Sequence, residues 1–235
     1  MHLKKLVIII LSVVFFFPAC LSAQNSSPEE MFKQSFPQNK FESITPTKIK
    51  GVYEVYTGNQ IYYYLPEAEV VFAGNIFTKD GINLTQESKA KRMAAKLVNL
   101  PLDQALKIGK GKTTVVEFID PNCHYCRLSF NFFTKLKNDV TIYAFFFPLS
   151  QDSERKIQHI FCAKDKAKTY EDVLSGKLDG NAKLNLCSDK EAEDMMKTHK
   201  QIGTKIGVQA TPLFYIKGQV VDGFEAAAIE KLLKD

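Results

Sequence analysis

The chain has 235 residues, of which 45% are apolar and 24% are charged. This composition is typical of a globular protein with one large or two modest domains, and it excludes a disordered tail, a fibre and a polytopic membrane protein. The formal charge of +5 arises from 31 basic and 26 acidic residues, and the lysines are scattered among acids. Because no basic stripe accompanies a recognition motif, the sequence does not indicate nucleic-acid binding.

Residues 1–23 have the pattern of a secretory signal peptide. Two lysines precede an apolar run from Leu6 to Phe17, which suits the apolar core of a leader and is too short to span a bilayer. We expect cleavage after Ala23 and a protein that works outside the cytoplasm. Lipid modification of Cys20 is the less favoured alternative, because Pro18 stands where a lipobox rarely has proline.

Short apolar stretches alternate with turn residues from Ile49 to Leu84, and Gly58-Asn59 separates two of them. This pattern predicts a small antiparallel sheet. At strand periodicity, the run Tyr62-Tyr63-Tyr64 is interpreted as one buried and one solvent-facing surface, in preference to a ligand cage. Because so small a unit buries little surface alone, we expect it to form a homodimer.

Residues 85–100 are rich in strong helix formers, with Thr85 as the predicted N-cap and Pro101 shortly after the end. The lysines of this segment are dense and its apolar side is narrow. We interpret it as a linker helix between two domains.

Residues 101–235 predict a thioredoxin architecture, a βαβ unit followed by ββα. Residues 151–206 are helical in composition and are interpreted as an insertion between the two halves. The predicted elements are a strand at Thr113–Ile119, a helix opening at Cys123, a strand at Val140–Phe147, a hairpin of Leu213–Ile216 and Gln219–Val221, and a helix at Ala226–Leu233.

Cys123-His124-Tyr125-Cys126 is the candidate redox centre. The start of a helix favours a thiolate, so Cys123 is the predicted nucleophile and the less exposed Cys126 is predicted to resolve mixed disulfides. A protonated His124 would stabilise the thiolate, whereas a solvated imidazole with little effect is the alternative. We expect the Tyr125 ring to shield or pack the turn.

Cys162 and Cys187 are isolated in the sequence. In an oxidising compartment they are interpreted as a structural disulfide, which would close a loop of about 25 residues and stabilise the fold by ~3 kcal/mol. A zinc site is the alternative use of a Cys-x-x-Cys, but these two cysteines are too far apart to form a second short-spaced pair, and His159 and His199 stand alone. We therefore expect neither a metal nor another cofactor.

Two further features fit redox chemistry. Strand alternation points Glu117 inward beneath the cysteines, where a buried carboxylate could take the proton of Cys126. An outward-facing or salt-bridged Glu117 is the alternative. Thr211-Pro212 opens a strand, and a cis bond there would expose backbone groups of Thr211 to an extended substrate chain. An ordinary trans proline in a loop is the alternative.

Taken together, the ordered motifs resemble the DsbC/DsbG family of bacterial periplasmic disulfide isomerases over nearly the whole mature chain. The motifs are Cys123-His124-Tyr125-Cys126 after a strand, Cys162-Ala163-Lys164-Asp165-Lys166 on a helix, Cys187, and Gly207-Val208-Gln209-Ala210-Thr211-Pro212 before the last hairpin. The resemblance implies a V-shaped homodimer joined through an α+β, cystatin-like N-terminal domain at 24–84, with an α/β thioredoxin-like catalytic domain. It also implies a cis bond at Pro212, the Cys162–Cys187 bond and a DsbD-type membrane reductase as partner.

The resemblance implies thiol-disulfide exchange on unfolded or misoxidised exported proteins in the periplasm. Two departures bear on the redox potential: His124-Tyr125 replaces the Gly-Tyr of such isomerases, and Glu117 is closer to thioredoxin and DsbA. A dedicated periplasmic thiol reductant, for example in cytochrome c maturation, and a folding chaperone with secondary redox activity are the alternatives.

Overall fold

A computed structural model describes residues 26–58, 60–136, 138–180 and 182–234. The predicted leader and Cys20 lie outside this part of the chain. An antiparallel four-stranded sheet is followed by a long helix and a mixed five-stranded sheet covered by helices. This architecture confirms the predicted fold class. No helix within these ranges is long and apolar enough to cross a membrane.

The N-terminal unit consists of one helix packed on the first sheet, whose strand order is β1-β2-β3-β4. Ser27 and Glu30 form a capping box that starts α1, and the ring of Phe32 packs edgewise on Tyr64 at 5.1 Å between centroids. Its elements are α1 (Pro28–Ser35), β1 (Ser43–Pro46), β2 (Tyr53–Tyr56), β3 (Ile61–Leu65) and β4 (Val70–Ala73).

The tyrosine run on β3 is buried on both sides of the sheet. Tyr64 faces α1, whereas Tyr63 forms a 2.5 Å hydrogen bond with the hydroxyl of Thr85 on the following helix. The prediction of one solvent-facing surface is therefore wrong for Tyr63. The following helix covers the face of the sheet that carries Tyr63, and strand alternation alone does not predict this cover.

The linker helix is α2 (Leu84–Leu97), and Asn83 rather than the predicted Thr85 is its N-cap. Arg92 fastens α2 to the first sheet, since its guanidinium pairs with the buried Glu54 carboxylate at 2.7 Å. At the other end, Leu97 is fully buried against the second sheet. The helix therefore packs on both units.

The second sheet has the strand order β5-β7-β6-β8-β9. Strands β6 and β7 run parallel and are joined through α3, which confirms the predicted βαβ unit, and β8 and β9 form the predicted hairpin. The elements are β5 (Leu106–Gly109), β6 (Thr113–Ile119), α3 (His124–Thr134), β7 (Val140–Phe146), α4 (Gln151–Phe161), α5 (Lys166–Leu174), α6 (Lys190–Ile206), β8 (Leu213–Ile216), β9 (Gln219–Asp222) and α7 (Ala226–Lys234).

Alternation along β6 separates two cores. Val115 and Ile119 face the core formed with α3, α4, α5 and α7, whereas Val116 and Phe118 face the core that receives Leu97 of α2. Glu117 shares the first of these faces with Val115 and Ile119. The sheet therefore directs Glu117 toward the side on which α3 lies.

The predicted helical insertion contains α4, α5 and α6, but the described residues between α5 and α6, 175–180 and 182–189, form no helix. Cys162 and Cys187 are bonded across this segment with Cα atoms 5.8 Å apart, which confirms the predicted disulfide. The bond ties the irregular segment to the end of α4.

His199 of α6 is buried between aromatic rings and connects distant parts of the domain. Its Nδ1 accepts the Phe146 N–H at 3.0 Å, and its Nε2 lies 2.6 Å from the Gln104 carbonyl oxygen, which fixes Nε2 as the protonated nitrogen. Burial lowers the pKa of His199 to about 4, opposed by the hydrogen bond to Gln104. His199 is therefore a neutral packing residue at pH 7.

Candidate active site

The Cys-x-x-Cys motif lies where β6 ends and α3 begins. Cys123 is the N-cap residue and is partly exposed, while Cys126 lies in the first turn and is only 1% exposed. Both are free thiols in this structure. The predicted difference in accessibility between the two sulfurs is confirmed.

Cys123 Sγ lies 3.2 Å from the carbonyl oxygen of Thr211. The Thr211-Pro212 peptide bond is cis, as predicted, and it ends the approach to β8 beside the cysteines. The side chain of the N-cap residue Cys123 makes no capping hydrogen bond to the described first turn of α3. Its backbone N–H groups therefore remain available to a thiolate at Cys123, because the first four N–H groups of a helix have no partner within it.

Burial raises the pKa of the Cys126 thiol well above its ordinary value. A backbone hydrogen bond from Asp120 offsets part of this rise, as does the nearby Thr211 hydroxyl. That hydroxyl forms no hydrogen bond of normal geometry with a described residue. Since the thiolate is the reactive form of a cysteine, burial disfavours reaction at Cys126.

Glu117 is the titratable group of the buried strand β6 on the α3 side, and it is 1% exposed. Burial raises its pKa to about 7, and a hydrogen bond from the Tyr170 hydroxyl, 2.6 Å from Glu117 Oε1, opposes the rise. The inward orientation is confirmed, and the salt-bridged and outward-facing alternatives are excluded. A carboxyl that titrates near pH 7 suits proton exchange.

Asp120 holds the turn that precedes Cys123. Its buried carboxylate accepts the N–H groups of Asn122 at 2.6 Å and Cys123 at 3.1 Å, and also the N–H of Leu149 at 2.6 Å. Ser153 of α4 donates to the same carboxylate at 2.8 Å. These bonds fix the backbone from which Cys123 projects.

A second polar cluster joins the helical insertion to α3. Arg127, four residues after Cys123, binds both carboxylate oxygens of Asp179, and the nearly buried Lys156 lies 2.6 Å from Asp179 and from Asn122 Oδ1. These cations hold the pKa of Asp179 well below its usual range. The loop around residue 179 is thereby anchored beside the active-site turn.

His124 and Tyr125 face solvent. Tyr125 is 59% exposed, and its ring meets that of His124 edgewise at 5.5 Å between centroids. Tyr125 therefore covers the outer side of the turn and does not pack into the core. Both rings are accessible to a substrate chain.

No group of three or more His, Cys, Asp or Glu side chains is arranged to hold a metal ion within the described ranges. The disulfide between Cys162 and Cys187 also removes both of these thiols as ligands. The arrangement of Cys123 and Cys126 supports thiol chemistry.

Tyr170 and Asp120 were not predicted as site residues from the sequence. Asp120-Pro121-Asn122 before a helix is a recognisable turn signal, and it could have identified Asp120 as a backbone acceptor. Tyr170 gave no such signal, because its contact with Glu117 joins positions 53 residues apart through the packing of α5.

Comparison with known proteins places both units in described families. The Disulfide bond isomerase protein N-terminal domain matches residues 21–86, and the Thioredoxin-like domain matches residues 100–235. A Bordetella parapertussis protein named "Probable thiol:disulfide interchange protein DsbC" is 30% identical over 208 residues, covering 83% of this chain and 70% of that protein. The Escherichia coli "Thiol:disulfide interchange protein DsbC" is 26% identical over 197 residues, covering 79% of this chain and 78% of that protein.

A solved structure shows the same fold. A linker-deletion mutant of Proteus mirabilis ScsC has a TM-score of 0.51 and 18% sequence identity, covering 63% of this chain and 84% of that one.

The two buried titratable residues predict opposite effects of pH on stability. The raised pKa of Glu117 means that the folded state binds more protons between its ordinary value of 4.5 and about 7, so stability rises as pH falls through this window. The lowered pKa of His199 means that the unfolded state binds more protons between about 4 and 6.5, so stability falls as pH falls. In the unmodified protein the two effects largely cancel.

Single substitutions of Glu117 and His199 separate the two effects of pH on stability. On going from pH 7 to pH 5, we expect Glu117→Gln to lose about 2 kcal/mol of unfolding free energy and His199→Gln to gain a similar amount. Each glutamine can keep the hydrogen bonds of the side chain that it replaces. Urea unfolding followed by circular dichroism measures the unfolding free energy of each variant at pH 7 and pH 5. A change of the same sign in both variants would contradict the opposite pKa shifts of Glu117 and His199.

Proposed function

Because the chain belongs to the DsbC family of thiol:disulfide interchange proteins, we propose that it isomerises and reduces incorrect disulfides of exported proteins through Cys123 and Cys126. The single observation that carries this proposal is the pairing of an accessible sulfur at a helix start with a buried sulfur one turn behind it. Only Cys123 is exposed enough to contact a disulfide of another protein, whereas Cys126 is shielded from such contact.

The first step joins enzyme and substrate. The Cys123 thiolate attacks one sulfur of a substrate disulfide, so that a Cys123–substrate bond forms, the substrate S–S bond breaks and its second sulfur leaves as a thiolate. The contact of the Thr211 carbonyl with Cys123, beside cis-Pro212, supports pairing of the Thr211 backbone with an extended substrate chain. Tyr125 and the exposed Leu149 offer apolar surface beside the reacting sulfur.

The mixed disulfide has two fates. When another substrate thiolate attacks it, a new substrate disulfide forms and Cys123 leaves as a thiolate, so the bond is shuffled without net oxidation. When Cys126 attacks Cys123, the substrate leaves reduced and the enzyme becomes oxidised. In the second path Glu117 accepts the proton of Cys126, because burial opposes ionisation of that thiol without a nearby base.

The proposed oligomer is a homodimer joined through β4. This edge strand carries the exposed side chains of Val70 and Phe72, and the segment after it exposes Phe77 and Ile82. Phe72 is 43% exposed and Phe77 is 60% exposed. Apolar side chains on an unpaired sheet edge favour pairing with a second strand, and a second copy of this chain supplies one.

The proposed location is the periplasm, which the predicted leader at 1–23 supports by its sequence pattern. Each reduction of a substrate leaves the Cys123–Cys126 pair oxidised, so continued activity needs an external reductant. A DsbD-type membrane reductase is the partner that we propose for this step.

Variants of the two cysteines test their separate roles as nucleophile and resolving thiol. With scrambled ribonuclease as substrate, we expect Cys126→Ser to accumulate a mixed disulfide, because no second enzyme thiol displaces the substrate. We expect Cys123→Ser to form none and to lose refolding activity. Non-reducing electrophoresis measures the adduct, and an adduct formed by Cys123→Ser through Cys126 would overturn the assignment.

The dimer interface is tested by Phe72→Glu. A charge on β4 should halve the mass measured by light scattering, since burying an unpaired carboxylate in an interface is unfavourable. Val98→Glu, at an exposed apolar position that directly follows α2, is the control and should keep the dimer mass. A dimer that persists in Phe72→Glu and dissociates in Val98→Glu would place the interface elsewhere.

A further inference from the structure

Tyr170 of α5 is a buried titratable residue to which the mechanism above gives no role. Its hydroxyl donates to Glu117 Oε1 at 2.6 Å, and both side chains are buried. Its ring packs against Phe130 at 5.8 Å and Phe146 at 6.2 Å between centroids. These contacts leave the phenol little freedom, so its hydroxyl stays directed at the carboxylate.

Tyr170 lies beneath the face of α3 that carries the resolving thiol. Phe130, which Tyr170 contacts, is four residues after Cys126, and residues at this spacing share one side of a helix. Cys126 and Tyr170 also belong to the same buried cluster. The phenol of Tyr170 therefore lies where α5 of the insertion packs against the active-site helix α3.

Few other charged or titratable groups face Glu117. Its partners on the neighbouring strands are Ala144 of β7 and Phe214 of β8, which do not titrate. The helices α4 and α7 contribute aliphatic side chains, Ile157, Ile160, Ile229 and Leu232. Among the described residues, Tyr170 is the side chain that bonds to Glu117, and the charges of Cys126 on α3 and of the adjacent Glu171 on α5 act on the Tyr170 hydroxyl.

The Tyr170 hydrogen bond favours the ionised form of Glu117. Without it, burial would raise the pKa of the carboxyl further. Burial and the charge of Glu117 raise the pKa of Tyr170 itself well above its ordinary value. The phenol thus remains a proton donor to the carboxylate at every pH at which the enzyme would work.

We propose that Tyr170 is a positioning residue, which keeps the Glu117 carboxylate ionised and in place to receive the Cys126 proton. Through this role it governs how often a mixed disulfide ends in reduction rather than isomerisation. The inference rests on the proposed function, in which Glu117 is the proton acceptor. Through Tyr170 on α5, the helical insertion thus controls part of the reaction.

Tyr170 supports the resolution of the mixed disulfide by Cys126. The proton of Cys126 moves to Glu117, the Cys126 thiolate attacks Cys123 Sγ, and the Cys123–Cys126 bond forms. The bond between Cys123 and the substrate breaks, and the substrate sulfur leaves with the electron pair. The cysteine pair is oxidised and the substrate disulfide is reduced.

Tyr170→Phe tests the inference in the full-length protein. Reduced enzyme is mixed with an aromatic disulfide that releases thionitrobenzoate twice, first when Cys123 attacks and then when Cys126 resolves the adduct. We expect the first release to be unchanged. The pH midpoint of the second release should rise by about one unit, because a hydrogen bond to a charged group is lost, and this release should therefore slow about fivefold at pH 7.

The pH profile separates this role from a structural one. Tyr64→Phe is the matched control, since Tyr64 is an equally buried tyrosine of the N-terminal unit whose hydroxyl has no described partner, and both releases should remain unchanged. Glu117→Gln should abolish the titration of the second release near neutral pH. Adding Tyr170→Phe to that variant should change nothing further.

Two outcomes would overturn the role of Tyr170: an unchanged second release in Tyr170→Phe, or an equal slowing with and without Glu117. If Glu117→Gln still alters the profile, the proton acceptor of the proposed function survives that failure. If Glu117→Gln has no effect on the profile, the proton acceptor itself is rejected.

Discussion

The chemistry depends on the burial of Cys126 directly behind an accessible Cys123. The start of α3 places one sulfur at the surface and the other in the core, and burial makes the second thiol hard to ionise. In the mechanism we propose, Cys123 captures a substrate readily, and reduction releases the substrate only when a base acts on Cys126. The resulting delay gives substrate thiols time to attack the mixed disulfide, which favours isomerisation.

Parts remote in sequence support this pair of sulfurs. The Asp120 carboxylate fixes the turn before Cys123, Thr211 approaches from the cis-proline loop, and α5 brings Tyr170 to Glu117. The irregular segment between α5 and α6 is tied down by the Cys162–Cys187 bond and by Asp179. The insertion thus contacts both the strand and the helix that carry the candidate site.

Sequence patterns predicted much of this structure, because the signals for β6, α3 and β7 are local and strong. The Cys162–Cys187 pairing followed from spacing and the inward Glu117 from alternation, whereas the cis proline followed from its place before a hairpin and from the family resemblance. The short elements α1, β1 and β5 were missed, since four to eight residues carry little periodicity. Thr85 was wrongly predicted to be an N-cap, and Tyr170 was not predicted as a site residue. Their hydrogen-bond partners, Tyr63 and Glu117, lie on strands that are distant in the sequence.

The most direct test of the account is the rate at which each cysteine of the reduced, folded protein is alkylated by iodoacetamide, resolved by peptide mass spectrometry. The account predicts rapid modification of Cys123 at neutral pH and protection of Cys126 until the protein is unfolded, because only the first sulfur is both accessible and beside unpaired N–H groups. Equal rates at the two positions, or faster modification of Cys126, would contradict it.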